Sequence, residues 1–199
     1  MPPESRPGPD SPPVDELASA EASLGVLQQV LRTIAADDKF TQTPCSEYNV
    51  KELTEHLLHS IMVLGGMVGA EFAISEDTDS VEGLVIGAAR PALDAWHRHG
   101  LEGAVPLGPG SMTAQVAVSV FSIEFLVHAW DYAVAVGCDV EFPDSLCDYV
   151  LGLARKLIKP DERSVAGFDD PIAVPDDASA LHRLVAFTGR NPARPNAGR

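Results

Sequence analysis

Residues 112–136 read MTAQVAVSVFSIEFLVHAWDYAVAV and are apolar on almost every face of a helix. A helix of that kind belongs in the middle of a helical protein, surrounded by others. Its length and hydropathy also suit a membrane span, but Glu124, His128 and Asp131 fall within it, and the run before it holds Pro106, Pro109 and several glycines. Both features argue for a protein interior rather than a bilayer. The pattern predicts a buried helix over 112–136, with Ser111 suited to cap its start.

Working outward, the remaining apolar spacing is also helical. Leu17, Ala20, Leu24, Leu27, Leu31 and Ile34 step by three and four, which predicts a first helix near 14–37. After the loop FTQTPCSEY (40–48), Asn49 and Glu52 stand three apart, the spacing of a reciprocal helix cap. A second helix follows, with Val50, Leu53, Leu57, Ile61, Leu64, Val68 and Phe72 as its apolar stripe. His56 lies on the flank of that stripe and His59 nearly opposite it. Residues 73–80, AISEDTDS, read as a turn, and Val81, Leu84, Val85, Ala88, Ala92 and Trp96 predict a third helix reaching His99. Pro91 is expected to kink or interrupt it.

Gly103 to Gly110 reads as a change of chain direction before the central helix. A fifth helix is marked by Leu146, Tyr149, Val150, Leu153 and Leu157, and a short sixth by Ala180, Leu181, Leu184 and Phe187. No run alternates with period two over a useful length, and no repeat of fixed period is present. The expected fold is all-α, a bundle of four longer helices with short C-terminal helical additions.

With 199 residues and 45% hydrophobic side chains, one domain with a sizeable core is expected. MPPESRPGPDSPP (1–13) carries six prolines and no apolar stretch, so it reads as a disordered arm without a signal sequence. GRNPARPNAGR (189–199) reads as a disordered tail, which leaves 14–188 as the folded unit. A net charge of −15 disfavours nucleic acid and anionic membranes as partners. Cys45, Cys138 and Cys147 form neither a metal knuckle nor a disulfide framework, so a cytoplasmic location is expected.

The polar residues of the central helix need a reason to be there, because a charge in an apolar setting costs several kcal/mol unless paired or metal-bound. Glu124 and His128 are four apart and share a face, with Asp131 three further along the same side. Gln115, Ser119 and Ser122 fall opposite. His56 of the second helix is the best candidate for a third ligand. Two imidazoles and a carboxylate would suit Zn²⁺ or another borderline divalent ion such as Ni²⁺, with a coordination position left open. The same residues would also serve as a buried ion pair beside a core histidine, and spacing alone leaves both readings open. Asp131 could steady a ligand histidine or bond backbone. His59 reads as exposed, His97 and His99 as helix-end residues, Cys45 as a packed thiol rather than a nucleophile activated by a helix N-terminus. Gly65 and Gly69 are a small-residue step for internal packing or a homodimer. Motifs of serine hydrolases, nucleotide hydrolases and dinucleotide enzymes are absent.

TPCSEYNVKELTEHLLH (43–59), IEFLVHAWDYAVAVG (123–137) and FDDPIAVPDDASALHRLVAFTGRNP (168–192) together resemble the actinobacterial metal-binding branch of the DinB-like superfamily. That branch is related to the N-terminal domain of mycothiol-dependent maleylpyruvate isomerase. The resemblance implies a DinB-type four-helix bundle whose divalent metal is held by His56, Glu124 and His128. It also implies a low-molecular-weight thiol as cosubstrate, in transfer to an electrophile or in isomerisation. Tyr48 stands where relatives often carry Trp, and the residues after 190 leave no room for the isomerase's second domain. The leading expectation is a metal-dependent thiol transferase or isomerase; the alternative is a non-catalytic bundle that binds a metal or small ligand. A third is a vestigial pocket on a surface used for protein association.

Overall fold

The computed structural model describes residues 10–72, 80–163 and 167–193. Most of the Pro-rich arm, residues 73–79 of the stretch expected as a turn, residues 164–166 and the end of the tail lie outside them. The described chain is mostly helical: α1 (Glu16–Leu31), α2 (Val50–Gly66), α3 (Val81–His99), a hairpin of β1 (Ala104–Leu107) and β2 (Gly110–Thr113), α4 (Ala114–Val136), α5 (Asp144–Leu157) and α6 (Ala180–Phe187). Short 3₁₀ turns cover Ala36–Phe40 and Pro160–Glu162.

The all-α class expected from the apolar spacing holds, and α4 is the element around which the others pack. It is long and apolar enough to cross a membrane, and 83% of its most apolar window is buried inside the protein. Its most extensive contact is with α1, and α2, α5 and α6 also pack against it. Ser19 and Ser23 of α1 and Ser122 of α4 are buried among the core residues. Across the α2–α4 contact, the Thr54 and Tyr132 hydroxyls meet at 2.9 Å, and Thr54 also donates to the Val50 carbonyl. That tie falls two residues before His56 and four after His128, so it fixes the two helices relative to each other beside the candidate ligands.

Local chemistry explains the element ends. Asn49 and Glu52 cap each other's backbone N–H at 3.0 and 2.9 Å, as their spacing predicted. α4 is capped by Thr113 rather than Ser111, because β2 runs on to Thr113 and the helix starts only at Ala114. The strands are four residues each, too short for an alternating pattern to register, and join at Gly108, whose φ of +54° suits glycine. α1 stops at Leu31, short of the expected 37, and the chain then makes the 3₁₀ turn. α2 stops at Gly66, since Gly65, Gly66 and a left-handed Gly69 end the helix; Val68 and Phe72 still pack on the core. α3 continues through Pro91, and the carbonyl that the ring crowds belongs to Gly87, the residue type with the widest backbone freedom.

Gly65 is a point of close approach. A Cβ there would meet Ala92 Cβ of α3 at 2.8 Å and Phe72 at 2.9 Å. Nearby, Trp96 of α3 donates its indole N–H to the Leu64 carbonyl at 3.1 Å. Gly65→Ala is therefore expected to destabilise the protein by about 1–3 kcal/mol through overpacking. Gly66→Ala, with nothing within 4 Å, is expected to be neutral or stabilising by up to about 1 kcal/mol. Paired thermal melts of the two variants check this; equal shifts would remove the α2–α3 contact as the cause.

Candidate metal centre

Four parts of the chain converge on the middle and C-terminal half of α4. α2 supplies His56, and α4 supplies Glu124, His128 and Asp131 from successive turns of one face. The loop before α2 supplies Cys45 and Tyr48, and the segment around α6 supplies Phe168 and Arg190. The loop is held in shape by Thr43, whose backbone N–H and hydroxyl both donate to the Tyr48 carbonyl. That presents the Tyr48 ring to His56, stacked at 5.1 Å between centroids and 22° between planes.

His56, Glu124 and His128 each offer one ligand atom, and these atoms lie within 4.8 Å of one another. Glu124 Oε2 is 3.3 Å from His56 Nε2 and 3.8 Å from His128 Nε2, and the two imidazoles meet edge to face at 86°. A tetrahedral ion with bonds of about 2.0–2.1 Å would set its ligand atoms roughly 3.3–3.4 Å apart, so small side-chain shifts would close the set. Oε2 is buried and makes no hydrogen bond in spite of these neighbours. His56 nonetheless stands at ion-pair distance from it, so in the metal-free protein the two can pair electrostatically. Two imidazole nitrogens and an orphaned carboxylate oxygen facing a common point can hold a metal ion.

The surroundings prepare His128 for that role. Asp131 Oδ2 lies 2.9 Å from His128 Nδ1, and Arg190 Nη2 lies 3.1 Å from the same oxygen. Burial alone would raise the Asp131 carboxyl, but the Arg190 guanidinium and the His128 ring outweigh it and hold it below its ordinary value. An ionised Asp131 accepts, so Nδ1 carries the proton and Nε2 is the nitrogen turned towards Glu124. Glu124 is likewise held low: burial opposes, and His56, His128 and the Ser60 hydroxyl prevail. His56 is raised, because the Glu124 carboxylate beside it outweighs its burial.

A slot of about 50 Å³ beside the ligands shares Cys45, Glu47, Phe168 and Arg190 with an outer cleft of about 250 Å³. The outer cleft also takes in Ser46 and Asp169, so its mouth is polar.

All three ligands expected from the sequence are thus together, and Asp131 takes the steadying role of its two alternatives. His59 is exposed. His97 faces Glu21 of α1 at 3.1 Å, more than an end-of-helix charge, and His99 contacts the Gly100 carbonyl and the Trp96 edge. Cys45 lines the cleft, but burial pushes its thiol up to about 11, the opposite of an activated nucleophile. Arg190 is a correction: composition placed it in the loose tail, yet it is 6% exposed and paired with Asp131. The signal that could have found it is Asp131 itself, since a carboxylate in an apolar helix is stabilised by a cation from elsewhere in the chain.

Along nearly its whole length the chain is similar to uncharacterized proteins of Mycobacterium tuberculosis. Two of these, from two strains, are each 26% identical over 179 residues, which span 89% of this chain and 98% of the relative. No family model matches the sequence. No solved structure matches it.

In metal-free protein, NMR titration of His56 is expected to give a midpoint above the ordinary 6.5, and Glu124→Gln should bring it down. The raised value stabilises the metal-free fold fully below pH 6.5, and that contribution is lost as pH rises through the folded midpoint. A midpoint unmoved by Glu124→Gln would break the assigned pairing.

Proposed function

We propose that this protein is a metal-dependent enzyme of the DinB-like type, a four-helix bundle that uses a low-molecular-weight thiol in transfer to an electrophile or in isomerisation. The observation that carries the reading is the orphaned Glu124 Oε2, buried between the Nε2 atoms of His56 and His128 at the foot of a cleft. Two imidazoles and one carboxylate suit Zn²⁺, and Ni²⁺ accepts the same donors. When bound, such an ion favours the thiolate of a ligand at its open position and can polarise a carbonyl.

The chain's own residues do the rest. Asp131 holds the His128 tautomer and Tyr48 covers one face of His56. The slot admits a slender group such as a thiol arm, while the polar outer cleft suits a hydrophilic body. Cys45 stays protonated near neutral pH, so the reacting sulfur in this reading belongs to the cosubstrate. The thiol and the reaction class rest on the sequence resemblance; the geometry of the site supports the metal half.

Three outcomes test the reading. Protein purified without a His-tag is expected to hold about one divalent ion per chain, which elemental mass spectrometry measures, and His128→Ala should lose both ion and chelator-sensitive thiol transfer. Chelation should lower the melting temperature, since an ion at about 100 times its Kd stabilises the native state by about 2.7 kcal/mol. Metal affinity should fall as pH drops, because protons compete with the ion for the His56 imidazole, and that competition begins above 6.5. An ion retained with no thiol chemistry would make this a non-catalytic metal-binding protein, and no ion at all would remove the proposal.

A further inference from the structure

The guanidinium of Arg190 serves two structures at once. Its Nε and Nη2 lie 3.4 and 3.1 Å from the two oxygens of Asp131, and Nη1 donates to the Thr188 carbonyl at 2.9 Å. Asp131 is 0% exposed, and its Oδ2 also receives the Nδ1 proton of His128. One carboxylate oxygen therefore joins the imidazole of a candidate ligand to the C-terminal wall of the cleft.

That wall is internally clasped. Arg163, also buried, donates from Nε and Nη2 to the Asp169 carbonyl at 3.0 and 2.8 Å and reaches the Phe187 carbonyl as well. Gly189, at φ +87°, approaches Asp169 so closely that a Cβ would stand 2.6 Å from the Asp169 Cβ. The Arg190 N–H donates to the Val185 carbonyl at 2.9 Å, and the Ile172 N–H to that of Ala186. Arg190 thus sits on a braced segment and reaches the base of α4 through Asp131. A buried Arg–Asp pair contributes little net stability compared with apolar packing, whereas its two-pronged geometry fixes the plane of the carboxylate.

We propose that Arg190 is a positioning residue for the metal centre: through Asp131 it fixes the His128 imidazole, and it couples ion binding to the seating of the cleft wall. The proposal rests on the metal reading above. Coupling of this kind is reciprocal, so the ion favours the seated wall by the same factor by which the seated wall tightens the ion.

The test is a Co²⁺ titration of the full chain, read by visible absorption, for the natural protein and for Arg190→Gln, Arg190→Lys, Asp131→Asn and the Arg190→Gln/Asp131→Asn pair. Co²⁺ is expected to bind the natural protein. Arg190→Gln should weaken binding about 10–100-fold and shift the bands, with Arg190→Lys in between because it keeps the charge and loses the fork. The double variant should be little worse than the weaker single one, since both act through one carboxylate. Co²⁺ should also slow hydrogen exchange at 185–190 in the natural protein but not in Arg190→Gln. Affinity and bands unchanged in Arg190→Gln, or losses that add in the double variant, would overturn the proposal. Should Arg190→Gln not fold, Arg190→Lys carries the comparison, and unchanged affinity and bands there overturn it equally. No Co²⁺ binding by the natural protein would instead overturn the metal reading on which the proposal stands.

Discussion

Asp131 has no exposed surface, and its charge is compensated from both sides, by an imidazole N–H on its own helix and by a guanidinium nearly sixty residues later in the chain. The rest of the site depends on that compensation. An unpaired carboxylate at this depth would protonate or draw in water, and either change would release His128 from its orientation. With Arg190 in place the carboxylate stays ionised, the imidazole keeps its proton on Nδ1, and Nε2 is left facing Glu124. The apolar wrapping of α4 makes this necessary, because a helix packed on nearly every side cannot expose a charge to water.

Glu124 lies two turns earlier on the same helix and meets the opposite circumstance. Its side chain is 14% exposed, and Oε2 faces two imidazole nitrogens without a hydrogen bond. Two carboxylates on one helix thus differ in what completes them. Asp131 is completed by the protein itself, and Glu124 points its charge at a place where a cation fits. That difference could not be seen from the spacing, which is compatible with an ion pair and with a ligand set alike.

Much of the fold was legible because it rests on local rules. The Asn49–Glu52 cap, the boundaries of α3 and the buried character of α4 follow from periodicity and capping within a few residues. The candidate ligands were legible for a related reason: Glu124 and His128 are polar exceptions in an apolar helix, and His56 flanks a stripe that has to face it. The missing parts depend on contacts distant in sequence. Nothing near Arg190 marks it as buried, since the Gly and Pro around it resemble a tail, and its partner is 59 residues away. The hairpin escaped notice because four-residue strands show no alternation, and with it went Ser111 as a cap. Cys45 showed only its place before a helix; its burial, which decides its acidity, exists only in the folded cleft.

The central claim is that His56, Glu124 and His128 share one cation. Anomalous diffraction from crystals of the protein with its native metal, recorded on both sides of the metal's absorption edge, measures this most directly. A single peak within about 2.0–2.2 Å of both Nε2 atoms and a Glu124 oxygen is the predicted result. A peak at the cysteine thiols or the surface carboxylates instead, with an imidazole N–H hydrogen-bonded to Glu124 Oε2, would contradict it.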